Sequence, residues 1–334
     1  MLSNLPLEII LKVFGYLSAE DKLQLAQVNQ TLGSAFVYHS EAKYKRLSCY
    51  LYTGYELSVI LPLCGSNIYK IDISEELTEK TAELITKYCT NVESATLEIR
   101  HQMFNACKGI LSIKSLSSIY LVNGDYREPD MLQYFNPNCR VLTLFDLSNV
   151  QSQNLRRLIH LEDLDVAPFD YLTDMLKICS HLKKLRCLKL TYCKLTQEED
   201  FLYPELETLQ VSYSKIYSDL PRCPNLKQLS LILNEYHNSV KIINFIVKYA
   251  TTLERLVITI AYDEHHPFTA HNLLDALREC TNLQFLHINC FLLKNLLSEN
   301  VETFIKVLKA NCFDAQRRFV LEVSQTALWA LVSV

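Results

Sequence analysis

Glycine and proline are scarce, at 6 and 9 in 334 residues, and there is a single tryptophan. So little glycine excludes the loops that cradle phosphates, and neither G-x-S-x-G nor H-E-x-x-H occurs. Few turn-forming residues also favour regular helix and strand. Basic charge is not in excess: 33 Lys and Arg stand against 37 Asp and Glu, a formal net charge of -4 that gives no electrostatic case for nucleic acid. No apolar run reaches the roughly 18 residues of a membrane span, and the apolar tail Thr326–Val334 is far too short. Helical patterning begins within four residues of Met1, which leaves no room for a secretory signal and points to the cytoplasm and/or nucleus. The 12 cysteines are scattered, with no C-x-x-C pair and no histidine at zinc-ligand spacing. The expectation is therefore buried reduced thiols, with no disulfide framework, no metal and no cofactor. What the chain does have is apolar residues, 49% against 21% charged, ample for a core.

Those residues are periodic. An L-x-x-L-x-L template, with Ile, Val, Ala or Cys tolerated, fits Ile68/Ile71/Ile73, Val92/Ala95/Leu97, Leu116/Ile119/Leu121, Cys139/Leu142/Leu144 and Leu161/Leu164/Val166. It recurs at Leu185/Leu188/Leu190, Leu206/Leu209/Val211, Leu226/Leu229/Leu231, Leu253/Leu256/Ile258 and Leu283/Leu286/Ile288, with Phe319/Leu321/Val323 as a degenerate last rung. Successive templates start 20 to 30 residues apart, the spacing of leucine-rich repeats. Leu226-x-x-Leu229-x-Leu231-x-x-Asn234 is the full pattern, and Leu185 to Cys193 is its Cys version. Units running through Cys89-Thr-Asn-Val92, Cys223-Pro-Asn-Leu226 and Cys280-Thr-Asn-Leu283 resemble the cysteine-containing subtype. Helical spacing between templates, as in Leu84/Ile85/Tyr88, Ile242/Phe245/Ile246/Tyr249 and Leu273/Leu274/Leu277, adds one apolar face per unit. The fold class expected is α/β: a leucine-rich-repeat solenoid with parallel strands on the concave face and helices outside.

Residues 5–36 break the period. Asn4 is placed to cap a first helix bearing Ile9, Ile10, Val13, Phe14 and Leu17, and Ser18-x-x-Asp21 reads as the box opening a second. Two short helices this apolar need something to pack on. Leu5-Pro6-x-Glu8-Ile9-Ile10-x-x-Val13-Phe14-x-x-Leu17, then Asp21-x-Leu23-x-Leu25-Ala26-x-Val28, resembles the F-box motif. The resemblance implies a substrate receptor of a Skp–cullin–F-box (SCF) ubiquitin ligase, non-catalytic itself. In it Leu5, Pro6, Ile9, Phe14, Leu17 and Val28 would bury themselves in a Skp-type adaptor, which brings cullin and RING subunits. The organisation expected is an F-box at 1–45, a helical linker at 46–67, repeats at 68–324 and a tail or cap at 325–334. The competing reading is a helical cap on a protein-binding scaffold that acts outside any ligase.

Substrate contacts are expected on the concave face, in a column running Asp72, Thr96, Tyr120, Thr143, Asp165, Lys189, Gln210, Ser230, Val257 and His287. Tyr120, Phe145, Lys189, Arg255, Phe285 and His287 are the candidate substrate-binding residues, since aromatic and basic side chains anchor interfaces. Two loops interrupt the period, at 125–130 and at 261–270, where His265 and His266 are read as solvated surface residues and not as metal ligands.

Overall fold

Pro6 fixes the start of the first helix, α1 (Leu7–Tyr16): its carbonyl accepts from the Ile9 and Ile10 N–H groups. Asn4 is not the cap expected of it; it ends a short 3-10 turn (Leu2–Asn4). Ser18 does cap the second helix, though with its hydroxyl and not its backbone N–H reaching the Asp21 carboxylate. Its hydroxyl accepts from Asp21 N at 3.1 Å and donates to the Asp21 carboxylate at 2.6 Å, opening α2 (Ala19–Ala26). A third helix, α3 (Gln30–Tyr44), was not anticipated; Asn29 caps it by accepting from Leu32 N at 3.0 Å. It supplies the core the first two helices lacked. Ile10 and Phe14 pack with Leu23, Ala26, Leu32, Ala35 and Phe36, all buried, and the Phe14 ring lies 5.9 Å from Phe36 and 5.8 Å from His39.

In this computed structural model the described residues are 2–73, 77–99, 103–123, 131–147, 152–168, 175–196, 201–217, 219–233, 239–260, 270–289, 301–307 and 320–324. They fall into two units, Met1–Asp146 and Leu147–Val334. The repeats of the first unit begin earlier than the sequence suggests. Segment 46–67 does contain a helix, α4 (Gly54–Cys64), but it opens with a strand, β1 (Arg46–Ser48). This strand lies parallel to β2 (Lys70–Ile73), with Leu47 opposite Ile71. Order then follows the chain through β3 (Ser94–Ile99), β4 (Ser118–Asn123) and β5 (Val141–Leu147), with α5 (Glu79–Tyr88) and α6 (Phe104–Leu111) in the connections.

The second unit repeats the scheme in a parallel sheet. Its strands are β6 (Asp163–Pro168), β7 (Cys187–Thr191), β9 (Thr208–Ser212), β11 (Gln228–Leu233), β12 (Arg255–Ile260), β13 (Phe285–Asn289) and β14 (Val320–Ser324). Two short strands, β8 (Lys194–Leu195) and β10 (Lys215–Ile216), form a separate parallel pair. Like positions stack on like: Leu164, Leu188, Leu209, Leu229, Leu256 and Leu286 are consecutive register partners. All six are buried, and burial of one such side chain is worth about 1.5–3 kcal/mol. The degenerate last rung is real in part, since Leu321 and Val323 pair with Leu286 and Ile288, while Phe319 lies outside the described residues.

One expectation fails for the middle units, that of a helix in every repeat. The templates starting at Leu185, Leu206 and Leu226 are only 21 and 20 residues apart, and after the strand no length remains for a helix. The connections there hold β8, β10 and an isolated bridge between Leu202 and Arg222. The longer units accommodate α8 (Ser239–Tyr249) and α9 (Ala270–Glu279), and the intermediate one a five-residue α7 (Met175–Cys179).

In four of the units the residue before the template's first position ties its repeat to the preceding one. Asn91 Nδ2 donates to Ser66 O, Ser115 Oγ to Thr90 O, Asn225 Nδ2 to Pro204 O and Asn282 Nδ2 to Thr251 O, at 2.6–2.8 Å. This gives the recurrent Asn of the Cys-x-Asn units a physical job. Gly65, at the end of α4, marks another tight approach, since a Cβ there would stand 2.7 Å from the Tyr88 carbonyl oxygen. Gly65→Ala should therefore cost about 1–3 kcal/mol in urea unfolding, because backbone must shift. Gly109→Ala meets the Thr86 side chain and no backbone, and should cost less, about the single bond from Thr86 Oγ1 to Ala82 O that must give way.

Candidate functional site

Two surfaces emerge, the outer side of the N-terminal helices and the sheet face away from the buried leucines. On the first, Leu5, Pro6, Ile9 and Val28 are exposed, Val28 at 66%, and Leu17 is half-buried. Phe14 is the correction. It is fully buried between α1 and α3, so it belongs to the core and not to any docking face. Leu2, Leu7 and Tyr16 replace it, Tyr16 being 92% exposed. Ile9 and Tyr16 are seven residues apart on one helix face, a signal the sequence contained.

On the sheet, the expected column is what the register produces. In the first unit Ser48, Asp72, Thr96, Tyr120 and Thr143 are successive partners; in the second, Asp165, Lys189, Gln210, Ser230, Val257, His287 and Glu322 are. Ser48 and Glu322 were missed because their strands lie beyond the clear templates. Alternation of a two-residue period turns the leucines inward and leaves this column half-buried or exposed.

The six candidate residues do not act singly. Tyr120 and Phe145 form an aromatic pair with centroids 5.6 Å apart. Lys189 Nζ lies 3.8 Å from the Asp165 carboxylate, so its charge is partly spent. Burial pushes the Asp165 carboxyl up, opposed by Lys189 and reinforced by Asp163. The Arg255 guanidinium stacks 3.4 Å above the Phe285 ring, its register partner, making one composite anchor. His287 Nδ1 stands 3.4 Å from Glu322 Oε2. The 125–130 loop, residues 261–269 with His265 and His266, Asn234 and the 325–334 tail lie outside the described residues.

Asp72 is the one acid of the first-unit column among the described residues. Burial pushes its carboxyl up, but hydrogen bonds from Arg46, Thr96 and Ser48, with the Arg46 charge, outweigh that and hold it below its ordinary value. Arg46 Nε donates at 3.0 Å and Ser48 Oγ at 3.1 Å. A depressed folded-state pKa stabilises above the unfolded-state value, and the contribution disappears as pH falls through the folded one. Asp72→Asn should therefore cost about 1–2 kcal/mol at neutral pH and nothing in strong acid. Urea midpoints measured from pH 7 down to pH 2 (roughly the range in which a paired Asp titrates) should show wild type and variant converging.

The cysteines offer little chemistry. Burial pushes the thiols of Cys49, Cys64, Cys89, Cys107, Cys139 and Cys223 up to about 12, so each stays protonated near neutrality and is no nucleophile. All ten cysteines among the described residues are free, and Cys187 alone of them is not fully buried.

With the geometry in hand, comparison with known proteins gives a family match, F-box-like, over residues 2–36. No curated protein matches the chain. Among solved structures it is similar to an internalin from Listeria monocytogenes, at 12% identity and TM-score 0.45, over 82% of this chain and 74% of the other. It is similar to the leucine-rich repeat-containing protein LegL7 from Legionella pneumophila, at 12% identity and TM-score 0.45, covering 84% and 91%. A chain of the Rad7 and Elc1 complex in yeast is similar at 12% identity and TM-score 0.39, covering 96% and 90%. The repeat architecture itself rests on the strand register and the buried leucine columns described above.

Proposed function

We propose, from the premise that this chain carries an F-box-like domain ahead of leucine-rich repeats, that it is a substrate-recognition subunit of an SCF-type ubiquitin ligase. The N-terminal helices seat on a Skp-type adaptor, through which cullin and RING subunits join. The sheet face of the repeats holds a protein substrate, and the chain works in the cytoplasm or nucleus without catalysing anything itself. The observation that carries this reading is the outward apolar face of the F-box-like helices. Leu5, Ile9, Tyr16 and Val28 remain exposed although α3 already fills the domain's own core, and apolar surface of that kind marks a protein contact.

A purely capping role for these helices has its own support. Gln27 Nε2 donates to Tyr55 Oη at 3.1 Å, and a Cβ on Gly33 would lie 3.3 Å from Leu63, so the domain is packed onto the first repeat helix. Packing of that kind uses α2 and α3 and leaves the α1 face unexplained. Co-expression of the full chain with a Skp-type adaptor decides between them. A stoichiometric complex supports the receptor; a monodisperse chain that ignores the adaptor supports the scaffold.

A further inference from the structure

Strands β9, β11, β12 and β13 contain no Asp, Glu or Lys, and Arg255, at the start of β12, is their one arginine. Arg255 is exposed, and its guanidinium lies 3.4 Å above the Phe285 ring. Among the described residues its side chain makes no ion pair or hydrogen bond, not even with the adjoining Glu254. Other charged groups along the second unit's sheet are engaged. Lys227 and Arg186 both pair with Glu207, Lys189 pairs with Asp165, and Glu322 lies beside His287.

Stacking on the ring fixes the plane of the Arg255 guanidinium and leaves its N–H edge to solvent. A fork held this way loses less rotamer freedom on binding than a loose side chain does. Gln228, the register partner of Arg255 on β11, is exposed, and Ser230, two residues on, is half-buried on the same face. They add an amide and a hydroxyl donor one strand spacing away, about 4.8 Å. These donors match a planar group with two acceptor oxygens and one negative charge. A phosphoryl dianion calls for a second cation, which the engaged Lys189 and Lys227 do not supply. An incoming lysine or arginine is repelled, and an apolar side chain would strip water from the guanidinium and give nothing in return.

We propose that the Arg255–Phe285 pair receives the carboxylate of an aspartate or glutamate side chain on the protein that the repeats capture. The carboxylate lies in the guanidinium plane and accepts two parallel N–H bonds, with the Gln228 amide and the Ser230 hydroxyl at its flank. This rests on the reading of the repeats as the partner-binding part, and is independent of adaptor docking.

The test is NMR of the arginine Nε–H groups and valine methyls of the full chain, titrated with N-acetyl-glutamate N-methylamide and with its glutamine and phosphoserine counterparts. The glutamate probe should shift the Arg255 signal saturably. The glutamine probe should bind about tenfold more weakly, the loss expected of one charge-assisted contact. Arg186, already paired with Glu207, is the internal reference and should not respond. Arg255→Lys keeps the charge and loses the fork, and should weaken the glutamate probe several-fold, read at the Val257 methyls. Phe285→Leu removes the stack and should weaken it likewise. Equal binding of the glutamate and glutamine probes, an equal response at Arg186, or undiminished binding by Arg255→Lys overturns the proposal. Binding of the phosphoserine probe more than about tenfold tighter than glutamate overturns the choice of a carboxylate. Failure of the glutamate probe with adaptor capture intact overturns this inference alone, and failed capture with the probe bound overturns the ligase reading alone.

Discussion

Ile9→Asp is expected to reduce capture of a Skp-type adaptor by at least 100-fold, with the chain's own stability changed by less than about 0.5 kcal/mol. Ile9 is exposed on α1, so a carboxylate there is harmless in the free chain and is stranded only when a partner covers it. Phe14→Ala should do the reverse. It removes a ring buried against Phe36 and His39 and should cost about 3–5 kcal/mol, the range for such truncations in a packed core. Any loss of adaptor binding by Phe14→Ala would then follow unfolding of the helices, visible as a lowered urea midpoint. Pull-down stoichiometry and chemical denaturation of both variants separate the two effects. Adaptor retained by Ile9→Asp at wild-type affinity would remove α1 from the docking face.

Asn136→Ala should cost about 3 kcal/mol or more, well above an ordinary surface asparagine. The residue is buried, and its Nδ2 group is placed 2.6 Å from Lys114 O, 3.2 Å from Ile113 O and 3.3 Å from Leu116 O. Its Oδ1 accepts from Asn138 N at 3.0 Å. Two hydrogens serve three carbonyls, so truncation strands at least two acceptors and one donor, each worth about 1–3 kcal/mol when buried and unmet. Asn225→Ala removes a single bond to Pro204 O near the surface, and about 1 kcal/mol is expected. Urea denaturation of the pair should resolve the difference. Equal losses would show that water replaces the Asn136 bonds.

The rungs were legible in the sequence because a strand repeats every two residues and a rung every 20 to 30, so each leucine column is written many times over. The outward apolar face of the F-box-like helices was only half legible. Ile9 and Phe14 are equally apolar and lie on one short helix, and nothing local says which of them faces inward. That is decided by α3, whose Asn29 cap and Leu32, Ala35, Phe36 spacing are present but interrupted by Gly33. Likewise β1 was hidden: Leu47 is one buried residue between Arg46 and Ser48, too short a run to show an alternation. The six residues read as substrate contacts all lie on β-strands, on the face opposite the buried leucines. Their pairing, Arg255 over Phe285 and Lys189 with Asp165, depends on cross-strand register, which a single strand's sequence does not encode.

The early start of the strands bears on how this chain could be re-engineered. A graft of the F-box-like helices cut after Tyr44 would strip α2 and α3 from α4, on which they pack. It would also part the Tyr44 ring from Tyr52, 6.1 Å away, and Gln27 Nε2 from Tyr55 Oη. The smallest transplantable piece therefore reaches through β2, and a chimaera that swaps only the motif inherits a seam through its own core.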